Sequence, residues 1–152
     1  MAAKEQKSLD IRKKDFALDA ERPDRIEARV AAEKLDLSDL TGTWLACDRN
    51  TGNLVRVDIG TRGSSLTVHA FGACTPSPCD WGTVKGIAYA ANVSSAQAIA
   101  FSARYEFSFK NAIVTGHLDS GSLVVETYNE FTDGSGRSNY YTRGYYCRRK
   151  RG

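Results

Sequence analysis

From Gln97 to Phe109 apolar side chains recur at every second position: Ile99, Phe101, Ala103, Tyr105, Phe107 and Phe109. Ala98, Ala100, Ser102, Arg104, Glu106 and Ser108 fill the positions between them. A period of two is the signature of a half-buried strand, and it assigns the first set to a core. Ser65–Phe71 divides in the same way, with Leu66, Val68 and Ala70 against Thr67, His69 and Phe71. Around Leu123 the sets are Leu123, Val125 and Thr127 against Val124, Glu126, Tyr128 and Glu130. The last two segments carry apolar residues on both faces, as suits a wall that is partly covered outside.

Turn chemistry interrupts the pattern at RNTGN, GTRGSS, CTPSPCD, NVSSAQ, FKN, DSGS and TDGSGRSN. These breaks predict eight strands, near 42–47, 53–59, 65–71, 81–90, 97–109, 112–118, 122–131 and 139–148. No intervening stretch is long or helical enough to carry a parallel crossover, so neighbours are expected to pair antiparallel. A meander of eight strands either closes or leaves two unprotected edges. The expected fold is therefore all-β, an antiparallel eight-stranded up-and-down barrel, which can hold one small ligand or be filled by its own side chains.

Residues 1–40 differ in composition from the rest of the chain: they are densely charged, with Pro23 opening a segment whose Ile26, Val30, Ala31 and Leu37 fall near one helical face. A helix is expected over about 23–35. The chain thus reads as a charged arm, 1–40, before a barrel domain, 41–152, with Leu9, Ile11, Phe16 and Leu18 able to pack on the same chain or on a neighbouring copy. No run reaches the roughly 18 apolar residues of a membrane span, and the first twenty positions lack the apolar core of a signal peptide.

The formal charge of +3 is local in origin. The arm has nine Lys/Arg against ten Asp/Glu, and residues 41–147 have eight of each. The excess is Arg148, Arg149, Lys150 and Arg151, a run too short for a nucleic-acid platform and read as a solvated tail or an electrostatic tether. No specific nucleic-acid partner is expected.

Four cysteines allow three readings: disulfides, buried free thiols, or a zinc site. Pairing Cys74 with Cys79 pins a proline-containing loop. Pairing Cys47 with Cys147 joins the first and last strands around about 100 residues, on the order of 4.7 kcal/mol in the chain-entropy account. Zinc is the weakest reading, because CxxxxC is a loose half-site and the outer cysteines lack a nearby ligand. Disulfides are favoured, which implies an oxidising, extracellular or cell-surface setting.

Leu40-Thr41-Gly42-Thr43-Trp44 resembles the opening strand of the calycin-type barrels, lipocalins and avidins, where Gly-x-Trp begins the first strand. In lipocalins a basic residue near the end of the last strand packs over that tryptophan, a place Arg143 or Arg148 could take. GTW, DRNTGNLVRVDI, VHAFGACTPSPCDWG and FTDGSGRSNY also resemble a group of poorly characterised bacterial domains with a GTW start and a CDWG centre. That resemblance spans most of 42–147 and implies a fold without an activity. The contacts avidins make to biotin have no recognisable counterpart after GTW.

The motif content bounds the function. G-x-S-x-G, P-loop, HExxH and dinucleotide-glycine motifs are missing, so no catalytic residue, cofactor or metal is assigned and the protein is not expected to be an enzyme. His69 and His117 would need a shared lumen and a third ligand to bind metal. Arg104, Glu106, Glu126, Tyr128, Glu130 and Arg143 form either a polar pocket, if they face inward, or a solvated salt-bridge ladder, if outward; the second arrangement is commoner. Aromatic residues are the stronger lead: Trp81 in the CDWG turn, and Tyr140, Tyr141, Tyr145 and Tyr146 in the last strand, beside the polar loop Thr132–Asn139. The expected ligand-binding set is Trp44, Trp81, Tyr128, Tyr140 and Arg143 at one barrel mouth, for a small molecule or glycan. The other expectation is a structural protein whose 1–40 arm docks on neighbouring barrels to form a homo-oligomer.

Overall fold

A computed structural model describes residues Leu35–Arg149. Eight strands follow one another: β1 Gly42–Ala46, β2 Leu54–Arg62, β3 Ser65–Gly72, β4 Cys79–Ala90, β5 Ala98–Glu106, β6 Lys110–Asp119, β7 Ser122–Phe131 and β8 Tyr140–Arg148. Each pairs antiparallel with the next, and β8 returns to β1, giving a closed barrel in sequence order. The expected all-β class, strand number and closure are present. The helix expected near 23–35 and most of the arm lie outside the described residues.

Alternating strand direction gives the barrel two unlike ends. Odd strands begin, and even strands finish, at the end where Leu35, Leu37 and Leu40 pack against the core. Asp36 pairs with Gln97 beside it, the Asp36 N–H donating to Ala96 O and Asp36 O accepting from Ala98 N–H. Trp44, only 1% exposed, donates its indole N–H to Leu40 O at 2.9 Å. Arg148 lies 4.7 Å over the Trp44 ring and donates to Asp39 O. The last strand's basic residue thus packs over the GxW tryptophan, and Arg148 rather than Arg143 fills that place. Gly42 has φ of 138°, and a Cβ there would meet the Arg148 side chain at 3.6 Å. This end is sealed by apolar packing.

The wall is thinnest in register between β1 and β8, which share three residue pairs, whereas β6 and β7 share ten. The Cys47–Cys147 disulfide spans that seam with a Cα–Cα distance of 5.5 Å. Cys74–Cys79, at 5.4 Å, closes the β3–β4 loop. Of the three cysteine readings, disulfides are what the structure holds.

Inward side chains of every strand fill the interior, among them Val57, Val68, Phe101, Val114 and Val125. Gly116 exists because Phe101 lies across it: a Cβ there would stand 2.3 Å from Phe101 Cε1. Three bulges adjust the alternation. In β5, Tyr89 faces Ala100 and Ala90 faces Ala98, so Ile99 is the extra residue. The expected core set is corrected there: Ile99 is 37% exposed while Ala98 is buried, because the bulge shifts the phase by one. Phe109 leaves the core set too, since β5 ends at Glu106 and Phe107–Phe109 form the turn. In β4, Trp81 and Gly82 together stand opposite Ala70.

Candidate functional site

At the other end the barrel is open. Even strands begin there and odd strands finish there, so the loops 47–53, 73–78, 107–109 and 132–139 crowd around one mouth. Three of them, 47–53, 73–78 and 132–139, are polar and bear Gly or Pro, as surface loops allow, while 107–109 is Phe-Ser-Phe and packs Phe107 against the core. A cavity of about 260 Å³ opens between them, lined by Leu54, Gly72, the Cys74–Cys79 bridge, Trp81, Lys110, Thr127, Asn129, Tyr140 and Thr142.

Trp81 reaches this cavity because of the β4 bulge. Gly82 takes φ of 84°, a region glycine occupies without strain, and donates its N–H to Asp80 Oδ1 at 2.7 Å. The bulge leaves the Ala70 N–H to Tyr105, whose buried hydroxyl accepts from it at 3.1 Å and donates toward Val68 O (2.9 Å) and Gly82 O (3.0 Å). Burial pushes the Tyr105 phenol up to about 12. Trp81 then packs edge-on to Tyr105 at 5.5 Å and to Phe107 at 5.3 Å. Gly72 makes room for it, since a Cβ there would sit 3.0 Å from Trp81 Nε1. Among the described residues the Trp81 indole N–H has no acceptor, whereas that of Trp44 is satisfied.

Polar groups converge opposite Trp81. The inward phase of β7 that buries Leu123 and Val125 also brings in Thr127 and Asn129. Thr127 and Thr142 face each other across β7 and β8 and share a hydrogen bond through their hydroxyls. Asn129 donates from Nδ2 to Thr127 Oγ1 at 3.0 Å. Its Oδ1 accepts from Lys110 Nζ at 2.9 Å. Lys110 opens β6 in phase with Ala112 and Val114, so its side chain points inward and is 7% exposed. Its ammonium lies 4.5 Å from the Trp81 ring centroid. Burial first, and the neighbouring Arg137 charge second, hold this lysine below its ordinary range.

Loop 132–139 over the mouth is tied rather than loose. Asp133 accepts from the Ser135 N–H at 3.1 Å and from Arg137 at 2.7 Å, and Arg137 lies 4.1 Å over Phe131. Those bonds, Ser135 foremost, hold Asp133 down to about 2.

The structure takes Trp44 and Arg143 away from the open mouth, while Tyr140 borders both that mouth and, with Tyr128, an outer concavity. Trp81 and Tyr140 line the open cavity. Trp44 is at the sealed end. Tyr128 and Arg143 are on the outer wall, where Arg104, Ile113, Tyr128 and Tyr141 follow one another across β5–β8 and border a shallow concavity of about 450 Å³. The charged group containing Arg104, Glu106, Glu126 and Arg143 is the outward ladder: Arg104 meets Glu106 at 3.2 Å, and Glu126 stands opposite Arg143. His69, bound to Asp80 at 2.6 Å and stacked 4.3 Å from Phe71, lies outside on β3, and exposed His117 outside on β6. Lys110, Thr127, Asn129 and Thr142 were not singled out from sequence, although aromatic residues flanking a lysine in Phe107–Phe109 are a signal that could have found the first.

This arrangement can bind: an aromatic wall, hydroxyl and amide groups, and one ammonium face a solvent-open cavity. The protein is thus a closed eight-stranded antiparallel β-barrel, compatible with a calycin-like fold, with one sealed and one open end. No family model, curated protein or solved structure matches the chain.

Proposed function

We propose that this protein is a non-catalytic binding barrel that takes a small molecule, or the terminal unit of a glycan, in its open mouth. The observation that carries this reading is the asymmetry of the two tryptophans. Trp44 is packed and hydrogen-bonded at the sealed end, while Trp81 lines the cavity with Thr127, Asn129, Tyr140 and Thr142, its N–H without an acceptor among the described residues. Two disulfides fit a working place in an oxidising, extracellular or cell-surface compartment.

Tryptophan fluorescence tests the reading, because buried Trp44 gives a constant background. Titration with a panel of sugars and amphiphilic small molecules should yield at least one saturable change in emission, lost in Trp81→Phe with the circular dichroism spectrum intact. A response that survives Trp81→Phe, or none from any member of the panel, refutes it.

The assembly reading keeps one supporting observation, the half-exposed row of Ile113, Tyr128 and Tyr141 on the outer wall. Deleting residues 1–34, which spares the packed Leu35 and Leu37, should lower the native mass if the arm builds an oligomer. An unchanged mass removes that role.

A further inference from the structure

We propose that the ligand taken at the mouth carries a negative charge, an organic carboxylate or a phosphate, and that Lys110 Nζ is the group that meets it. This rests on the mouth being the binding site and specifies what that site selects.

Among the described residues, Lys110 is a buried cation paired with no carboxylate. Asn129 Oδ1 accepts one of its three protons at 2.9 Å, and Tyr140 Oη stands at 3.5 Å. Aromatic rings make up much of the rest: Trp81 at 4.5 Å from the ammonium, Tyr140 at 5.7 Å, Phe107 and Phe109 at 5.9 Å each. Ring faces attract a cation but give it no counter-charge. Among the described residues the ion pairs made by Lys or Arg are Arg56–Asp58, Arg104–Glu106 and Arg137–Asp133, and none includes Lys110. The charged neighbour that acts on it, Arg137, has the same sign and has its own carboxylate.

An ammonium taken out of water without an anion is costly unless something offsets the cost. Purely structural lysines extend their heads to solvent, and a short apolar residue would close this position more cheaply. The position is explained if the missing charge arrives with the ligand. Trp81, whose indole N–H has no acceptor among the described residues, lines the same cavity, and the Thr142 hydroxyl is free to donate when Thr127 supplies the proton of the bond they share. An anion placed there makes a charge-assisted bond to a lysine whose side chain is itself buried, stronger than a bond between neutral groups.

The test uses protein labelled with ¹⁵N in its tryptophan indoles, whose two signals are assigned through Trp81→Phe. Three probes are titrated: sodium benzoate, its uncharged isostere benzamide, and inorganic phosphate. Benzoate or phosphate should shift the Trp81 indole signal saturably and bind about tenfold or more tightly than benzamide. Competition between benzoate and phosphate tells which anion the site prefers. In Lys110→Met, and in Lys110→Gln should the first variant fold poorly, the preference for the anion over benzamide should vanish. Benzamide binding as tightly as the anions, or a preference that survives both substitutions, overturns the assignment of charge and leaves the mouth as a neutral binding site. No shift of the Trp81 signal with any probe overturns the assignment of charge, and the mouth as a binding site is then decided by the sugar and amphiphile panel.

Discussion

Replacing Tyr105 by Phe removes a single oxygen from behind Trp81 and tests whether that oxygen holds the β4 bulge. The ring stays, so the core loses no volume of consequence. What is lost is the acceptor for the Ala70 N–H, on a residue that is fully buried, and the donor shared between Val68 O and Gly82 O. A hydroxyl has one proton, so only one of those carbonyls is served at a time. A buried amide left without an acceptor costs about 1–3 kcal/mol. With a urea m-value of about 2 kcal/mol/M, the unfolding midpoint should fall by roughly 0.5–1.5 M at unchanged m. Alkaline pH gives a second readout. The folded-state pKa of Tyr105, about 12, is raised above the ordinary 10, so the native state favours the protonated phenol. Its contribution is whole below pH 10 and is lost as pH rises toward 12, at about 1.4 kcal/mol per unit, on the order of 3 kcal/mol across the window. Tyr146, also held near 12 by burial, adds a similar slope. Tyr105→Phe should therefore lose less stability than the wild type as pH rises from 10 to 12. A variant as stable as wild type within about 0.5 kcal/mol, with the same alkaline slope, would show that the hydroxyl does not carry the bulge.

Removing the seam disulfide as Cys47→Ala/Cys147→Ala should cost up to about 4.7 kcal/mol in denaturant unfolding, against about 2 kcal/mol for Cys74→Ala/Cys79→Ala, which closes a far shorter loop. Gly116→Ala should lose about 1–3 kcal/mol through the clash with Phe101, and Phe101→Leu in the same chain should restore part of it. Asp133, held at about 2, keeps its loop tied above the ordinary carboxylate pKa and releases it as pH falls toward 2. Amide exchange at Ser135, corrected for the intrinsic pH dependence, should accelerate over that range, and Asp133→Asn should remove the effect. Gly72→Ala should displace Trp81 and weaken whatever binding Trp81→Phe abolishes, with little change in the far-ultraviolet spectrum.

The fold was legible because each strand declares itself locally: a period of two, then a run of Gly, Ser, Asn or Pro. Strand ends and bulges were less so. Nothing in the Ala98–Ile99–Ala100 stretch announces an extra residue, because a bulge is settled by the partner's register. Lys110 was hidden for a related reason. In the sequence it sits in FKN, where a lysine between two strands reads as a solvated turn, and only the start of β6 at Lys110 turns it inward. The division of the tryptophans was available and was missed. In an antiparallel meander the beginnings of odd and even strands lie at opposite ends, so Trp44, early in the first strand, and Trp81, at the start of the fourth, had to be far apart. The same parity unites Trp81, Lys110 and Tyr140, at the starts of the fourth, sixth and eighth strands, with Asn129 near the finish of the seventh.

The packing of Leu35–Leu40 beneath Trp44, with the Arg149 N–H bonded to Thr43 O, brings the chain in and out of the barrel at one pole. Cys74–Cys79 and Trp81 stand at the other. A domain fused directly before Leu35 or directly after Arg149 would therefore meet the sealed base and leave the mouth facing outward. The barrel is a cup with both handles on its foot, and anchoring it at Leu35 or at Arg149 should leave its capacity unchanged.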